Sequence, residues 1–229
     1  MSVDFEGIGE RYRRVLASVE AAAVAAGRDV GEVRLISVSK TRSVEEVRAA
    51  YAAGAREFGE NYAQELRDKA RESYGEPRPT WHYIGRLQKN KVKYVAAAAD
   101  LFHAFDDLSL APVFAKRRET PMGVLVAVNV GGELSKGGVP IDDALSFCEE
   151  VERADGVALR GLMTIPPPVA SPEAAGPWFA QMAELAAGGR RRGLPLDELS
   201  MGMSGDYEVA IRHGATLVRV GTAIFGPRG

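Results

Sequence analysis

The chain has 229 residues, of which 46% are hydrophobic and 26% charged, which is enough to bury one sizeable core. The formal net charge of −2 gives no general attraction to nucleic acids or to anionic membranes. A single cysteine excludes an intrachain disulfide, and no apolar stretch approaches the roughly 20 residues that a membrane-spanning helix needs. The first ten residues include three carboxylates where a secretory signal is basic and then apolar, so we expect a soluble, cytoplasmic protein.

Predicted helices and strands alternate along the chain. The first element is a helix over residues 4–27, because apolar residues recur at helical spacing and Gly27 is a typical stop. Eight strands follow, over residues 33–40, 56–59, 81–85, 100–105, 123–130, 157–165, 198–201 and 216–220. The helices between them end near residues 54, 73, 99, 118, 154, 192 and 213. Ser43 and Glu46 form a capping box that begins the helix after the first strand.

This alternation, without any hairpin signal, predicts an α/β protein that folds as a single (β/α)8 TIM-type barrel domain over residues 1–229. The extra N-terminal helix is expected outside the barrel wall. The fifth predicted strand is nearly all apolar, which suits a strand covered on both faces. A doubly wound open sheet is the competing architecture, but it would require a glycine-rich turn after the first strand, where Ser39, Lys40 and Thr41 stand instead.

Lys40 is the first candidate for a functional residue, because it closes the first predicted strand. A lysine at the end of a buried strand is costly unless its ammonium meets a partner, reaches solvent or becomes uncharged. Taken alone, Lys40 would be interpreted as a strand-end lysine that extends into water. The last thirty residues of the chain change that interpretation.

The loops after the seventh and eighth strands of a barrel often hold a phosphate group. Here these loops contain glycines that let backbone N–H groups approach an anion, and hydroxyl side chains next to them. These residues are Gly202, Ser204, Gly205, Gly221 and Thr222. Such residues also serve as ordinary turns and helix caps, but their occurrence in both loops favours a phosphate site.

Arg219 interrupts an otherwise apolar strand, one residue before Val220. Its guanidinium cannot lose its charge, so it must meet an acceptor, which could equally be a carboxylate on a neighbouring element or a ligand. A lysine, a phosphate site and an arginine match the aldehyde, the phosphate and the ring nitrogen of pyridoxal phosphate. An arginine opposite that nitrogen would keep it unprotonated, because a proton there would place two cations together.

Several short blocks also carry a family resemblance. They lie at residues 38–41, 58–62, 81–85 with 87–88, 135–137, 161–163, 199–204 and 218–226. In order and spacing they resemble the pyridoxal phosphate homeostasis protein family, whose fold is similar to the amino-terminal barrel of bacterial alanine racemase. The resemblance implies a Schiff base on Lys40 and assigns cofactor contacts to Asn61, Met203, Ser204, Arg219, Gly221 and Thr222.

The family resemblance implies a role in buffering pyridoxal phosphate inside the cell and in delivering it to apo-enzymes, without robust catalysis. We expect a monomer that meets such partners transiently. Two alternatives stay open. A pyridoxal phosphate-dependent racemase needs a second acid/base group on the opposite face of the ring and a closed pocket. A cofactor-free Schiff-base aldolase of phosphorylated sugars would use Lys40 and the phosphate site, but it gives Arg219 no role.

The remaining candidates have ordinary interpretations beside the functional ones. Asn61 either contacts the cofactor or caps the helix that follows it. His82 is expected to be a core histidine with satisfied hydrogen bonds, and Lys136 an exposed loop lysine rather than a phosphate ligand or second amine. The histidines and the cysteine show no spacing typical of metal ligands. A local basic cluster is interpreted as a solvated face rather than a nucleic-acid site, and comprises Arg86, Lys89, Lys91 and Lys93.

Overall fold

The computed structural model describes residues 5–133 and 137–227 of the chain. The barrel strands are β1 (Arg34–Val38), β2 (Glu57–Glu60), β3 (Thr80–Tyr83), β4 (Leu101–Phe105), β5 (Met122–Asn129), β6 (Val157–Met163), β7 (Glu198–Met203) and β8 (Leu217–Val220). Each strand pairs in parallel with the next along the chain, and β1 pairs with β8. The sheet is therefore closed, and the predicted (β/α)8 TIM-type barrel is confirmed.

Helices connect the strands. They are α1 (Phe5–Ala25), α2 (Val44–Ala52), α3 (Ala63–Ala70), α4 (Val92–Ala98), α5 (Ala111–Ala115), α6 (Ala144–Glu152), α7 (Gly176–Arg191), α8 (Tyr207–Arg212) and α9 (Thr222–Phe225). The predicted capping box at the start of α2 is present, because the Glu46 N–H donates to Ser43 Oγ at 3.2 Å and the Ser43 N–H donates to Glu46 Oε2 at 2.7 Å. Among the described helices, none combines the length and apolar character that crossing a bilayer requires.

The N-terminal helix α1 lies outside the barrel wall, as predicted. It packs against α2, α8 and α9. Its buried side chains recur every three or four residues, as at Ile8, Tyr12 and Val15, and so form one apolar face. The Arg11 Nε–H also donates to the Ile224 carbonyl at 2.7 Å. Helix α1 therefore joins the first part of the barrel wall to the last.

Most strand ends differ from the prediction by one or two residues, and three differences change the carboxyl end of a strand or add one. Strand β1 ends at Val38, so Lys40 lies in the turn after the strand rather than in its last position. Strand β7 continues to Met203, beyond the predicted end, with Gly202 at a φ of 90° and a shift in its register with β8 between Ser200 and Met203. A two-residue strand, Val139–Pro140, pairs with β5 beside the barrel and has no counterpart in the prediction.

Side chains fill the inside of the barrel. One buried apolar cluster consists of Ile36, Leu101, Leu125, Ala127, Met163 and Leu217. The buried polar residues on the barrel strands include His82, His103, Ser200 and Arg219. Because burial of an unpaired polar group is costly, these four side chains must hydrogen bond to one another or to the backbone.

Cys148, on α6, is expected to resist thiol reagents in the folded protein. Its side chain is fully buried, and burial followed by the nearby Glu149 charge raises the pKa of the thiol to about 12. At pH 8 only about one thiol in ten thousand would be the reactive thiolate. Titration with a chromogenic disulfide reagent should therefore detect no thiol within minutes in the native protein and one thiol after denaturation. Rapid labelling of the native protein would contradict this prediction.

Candidate functional site

Lys40 lies in a tight turn at the carboxyl end of β1. The Arg42 N–H donates to the Ser39 carbonyl at 3.0 Å and closes the turn. The next residue, Thr41, has a φ of 64°, which is the left-handed region that a β-branched residue rarely adopts. Lys40 is half-buried. The surrounding structure must therefore hold this turn in a conformation that its own sequence disfavours.

A buried charged cluster holds the turn from below. The Lys69 ammonium, on α3, donates to the Ser39 carbonyl at 2.8 Å and to Glu60 Oε1 at 2.7 Å. Glu65 Oε2 accepts both the Thr41 N–H at 2.8 Å and a hydrogen bond from Lys69 at 3.1 Å. The backbone on each side of Lys40 is thus anchored to the same ammonium and carboxylates. This cluster has no signature in the sequence, because the i, i+4 spacing of Glu65 and Lys69 is typical of an ordinary surface ion pair.

The two predicted phosphate loops lie at the same rim of the barrel as Lys40. Strands β1 and β8 are paired, with Ser37 opposite Val220, so the residues that follow them emerge side by side. Gly221 lies against β1, since a Cβ built on it would be 3.2 Å from the Val38 carbonyl oxygen. The predicted ligands Ser204 and Thr222 are exposed at this rim. The lysine and both loops therefore face one opening.

The loop after β7 is closed by Asp206. Its carboxylate accepts the Met203 N–H at 2.6 Å, and its own N–H donates to the Met203 carbonyl at 3.1 Å. Met203 itself is 38% exposed and stands opposite Arg219 in the register of β7 and β8. Hence Met203 lies at the rim, above the buried arginine.

Arg219 points into the barrel, and its partners are neutral. Its guanidinium donates to Ser200 Oγ and to the Thr164 carbonyl, the latter at 3.0 Å. Within residues 5–133 and 137–227, no carboxylate forms an ion pair with it. Burial lowers the pKa of the Arg219 guanidinium to about 10, opposed by the charge of Asp206. The carboxylate partner considered from sequence is therefore not what the structure shows.

A cavity of about 310 Å³ continues the site across the carboxyl ends of β2 to β6. Its polar lining consists of Asn61, Arg86, Asp106 and Asn129. Asn61 does not cap α3, since Tyr62 is the residue at that position. The Asn61 side-chain oxygen is buried and has no hydrogen-bond partner among the described residues. The oxygen itself is thus covered, although other atoms of Asn61 line the cavity.

Of the remaining predicted residues, Arg86 borders the cavity, whereas the others lie apart from this site or outside the described part. His82 is fully buried between two polar partners, as expected of a core histidine. Arg86 and Lys89 are exposed, consistent with a solvated face. Lys136 lies outside the described residues. In the described part of the chain, no group of three or more histidine, cysteine or carboxylate residues could hold a metal ion.

A larger cleft of about 490 Å³ lies at the opposite end of the barrel, around Pro79 and Asp100. It contains none of the predicted site residues. The lysine, the two loops and Arg219, rather than this cleft, therefore define the candidate site.

Comparison with known proteins agrees with this geometry. Residues 17–229 match the family model described as "Alanine racemase, N-terminal domain". A pyridoxal phosphate homeostasis protein from Pseudomonas aeruginosa is 44% identical over 224 residues, covering 96% of each chain. The structure of PipY from Synechococcus elongatus with PLP bound is 34% identical, with a TM-score of 0.80, and covers 96% of this chain and 100% of that chain.

An alanine racemase from Corynebacterium glutamicum shares the fold. It is 16% identical, with a TM-score of 0.71, and the match covers 99% of this chain and 62% of that chain. The likeness thus extends over the barrel of the racemase but leaves more than a third of that protein unmatched. The chain described here therefore belongs to the alanine racemase N-terminal domain family and, within it, to the pyridoxal phosphate homeostasis proteins.

Proposed function

We propose that this chain binds pyridoxal phosphate reversibly, with Lys40 as its covalent anchor, and acts in the homeostasis of that cofactor by buffering and delivery. The observation that carries the proposal is the common rim of the barrel, at which Lys40 and the loops at Ser204 and Thr222 all lie. The names of the relatives support it, since the Pseudomonas aeruginosa protein is a pyridoxal phosphate homeostasis protein and PipY has been crystallised with PLP.

The residues present fit this cofactor. Pyridoxal phosphate supplies an aldehyde that condenses reversibly with a primary amine. Lys40 is the amine at the rim. The Ser204 and Thr222 hydroxyls, with the backbone N–H groups next to Gly221, would bind the phosphate group. The Asn61 side chain, which lines the cavity, would contact the bound molecule.

Arg219 would face the ring nitrogen of the cofactor. Only two of the five N–H groups of a guanidinium are needed for Ser200 and Thr164, so donors remain for a ligand. Because both protein partners are neutral, the positive charge of Arg219 is not cancelled locally. A charged donor at this position disfavours a proton on the ring nitrogen and so makes the ring a weaker electron sink.

The open rim favours storage and transfer over catalysis. Met203, Ser204 and Thr222 are exposed, so this chain does not by itself close the site to water. Two-base racemisation needs such closure and a second acid/base group. We propose that residues 1–229 act as one domain, as a cytoplasmic monomer that meets apo-enzymes transiently. Racemisation of alanine at about 10 per second would contradict the non-catalytic part of the proposal.

Replacement of Lys40 by alanine tests the proposal. The wild-type protein mixed with pyridoxal phosphate should develop a visible absorption band, and borohydride should fix the cofactor to the peptide that contains Lys40. The Lys40→Ala variant should lose the band and bind at least about tenfold more weakly, while inorganic phosphate still competes for the residual binding. The exposed Lys93 provides a matched control, and Lys93→Ala should behave as wild type. A full band in Lys40→Ala would overturn the assignment.

A further inference from the structure

A row of hydrogen-bonded side chains crosses the barrel interior from Arg219 to Glu57. Arg219 donates to Ser200 Oγ, which lies 2.8 Å from His103 Nδ1. His103 Nε2 is 2.9 Å from His82 Nδ1, and His82 Nε2 meets the Glu57 carboxylate. The five residues come from five different strands, β8, β7, β4, β3 and β2. We call this row the interior relay.

The interior relay is shielded from solvent along most of its length. Ser200, His82 and His103 are 0% exposed and Arg219 is 4% exposed. Glu57, at the amino end of β2, is half-buried, and its Oε1 lies 3.8 Å from Arg34 Nη1. Because water is excluded here, the loss of any of these hydrogen bonds would cost free energy. The members of the relay must therefore hold one another in fixed orientations.

Hydrogen-bond donors and acceptors can be assigned along the whole relay. A guanidinium only donates, and a carboxylate only accepts. With neutral histidines between them, Ser200 must accept from Arg219 and donate to His103 Nδ1. His103 then donates from Nε2 to His82 Nδ1, and His82 donates from Nε2 to Glu57. Both histidines are thus fixed as Nε2-protonated tautomers. Because the Ser200 hydroxyl hydrogen is directed at His103, the Ser200 oxygen is oriented to accept from Arg219.

The charges around the relay agree with this assignment. Burial, followed by nearby positive charges that include Arg219 and Arg34, holds the pKa of His103 well below its usual value, so it is neutral. Burial raises the pKa of Glu57, but the hydrogen bond from His82, helped by the charge of Arg34, outweighs burial and the opposing charge of Asp100. The pKa of Glu57 is therefore lowered, and this end of the relay is an anion.

We propose that His103 and Ser200 are positioning residues for Arg219, which fix its guanidinium toward the ring nitrogen of bound pyridoxal phosphate and thereby set the protonation of that nitrogen. This inference rests on the proposed function. Neither residue touches the cofactor. They act by fixing the orientation of the Arg219 guanidinium. With the Thr164 carbonyl as its sole acceptor, the guanidinium could rotate about a single hydrogen bond.

The test compares pyridoxal phosphate-loaded wild type with Ser200→Ala and His103→Phe. Ser200→Ala removes the hydroxyl acceptor of Arg219 and His103→Phe removes the group that orients that hydroxyl, so protonation of the ring nitrogen should become easier in both variants. The midpoint of the pH dependence of the visible absorption should move upward by about one pH unit or more. Ser200→Ala removes one oxygen only and keeps the test available if His103→Phe fails to fold. His213, at the end of α8 and outside the relay, provides the control His213→Gln, which should titrate as wild type.

A second measurement needs no cofactor. Nitrogen-15 NMR of the unloaded wild-type protein should show His82 and His103 as Nε2-protonated tautomers between pH 6 and 9. Identical titration curves in all four loaded proteins, or Nδ1-protonated histidines, would overturn the inference. A wild-type protein without any visible band would instead contradict the proposed function, and the tautomer measurement would still test the relay itself.

Discussion

Replacing Lys69 by methionine is expected to lower the free energy of unfolding by about 3–5 kcal/mol, because it leaves the Glu60 carboxylate buried without its cation. Glu60 is 0% exposed and Lys69 only 4% exposed. Glu60 Oε1 accepts from both Lys69 and Ser39, whereas Oε2 has no partner among the described residues. Loss of the ammonium would therefore remove the only cation that this carboxylate contacts in the described part of the chain. Chemical denaturation of the unloaded protein measures the change.

The loss of stability should depend on pH in a defined direction. Burial raises the pKa of Glu60 above 4.5, with Lys69 and Ser39 opposing it, and removal of Lys69 should raise the pKa further. A carboxyl group whose folded-state pKa is raised stabilises the fold below its unfolded-state pKa, and this stabilisation is lost as pH rises through the folded-state pKa. The free energy of unfolding of the Lys69→Met variant should therefore be closest to the wild-type value in acid and furthest below it at neutral pH.

The same substitution should weaken the covalent capture of pyridoxal phosphate, although Lys69 is not at the rim. Thr41 is held in a left-handed conformation that costs about 1–3 kcal/mol and persists only while its surroundings enforce it. Without Lys69, the Ser39 carbonyl loses its anchor and the turn at Lys40 can relax. The visible band should then form more slowly and less completely.

Two further variants make this prediction decisive. The double variant Lys69→Met, Glu60→Gln removes both buried charges and should recover most of the lost stability. Lys89→Met changes an exposed lysine and should leave stability within about 0.5 kcal/mol of wild type. If Lys69→Met were as stable as Lys89→Met at neutral pH, the buried ion pair would not hold the turn.

The parallel topology explains how much of the site could be predicted from sequence. In a closed parallel barrel all strand carboxyl ends meet at one rim, so a lysine after β1 and hydroxyls after β7 and β8 had to face the same opening. The nearly continuous apolar run of β5 predicted a buried strand, and the capping box at Ser43 predicted the start of α2. Both predictions depend only on residues that are close together in the sequence. The prediction of the common rim needed only the order of strands and helices.

Contacts across the barrel could not be predicted in this way. His103 and Ser200 are 97 positions apart in the chain, and their strands are not neighbours in the sheet, so only the tilt and stagger of the closed barrel bring them together. Lys69 and Glu60 meet because α3 folds back over the end of β2. Neither pair has a spacing or residue pattern that distinguishes it in the sequence from ordinary surface charges or core polar residues.

Gly85→Ala is the second substitution with a large expected effect, a loss of about 3 kcal/mol of stability together with weakened ligand binding. A Cβ at Gly85 would lie 2.2 Å from the carbonyl oxygen of Asn61 and 2.9 Å from its carbonyl carbon and Cα. These are backbone atoms, so no side chain can move aside to relieve the clash. The segment at the end of β2 must therefore shift, and it carries the Asn61 side chain that lines the cavity.

Gly188→Ala provides the matched control. Gly188 lies in α7, where an added Cβ would make only ordinary contacts, the nearest at 3.7 Å from the Arg191 side chain. Alanine in a helix interior is favoured over glycine by roughly 0.5–1 kcal/mol, so Gly188→Ala should match or exceed wild type in stability.

Thermal unfolding of the unloaded proteins and titration with pyridoxal phosphate measure both effects. If Gly85→Ala unfolded at the wild-type temperature and bound with wild-type affinity, the contact between Gly85 and Asn61 would not fix the position of the Asn61 side chain. In that case the proposed role of the Asn61 side chain in contacting the ligand would be contradicted as well.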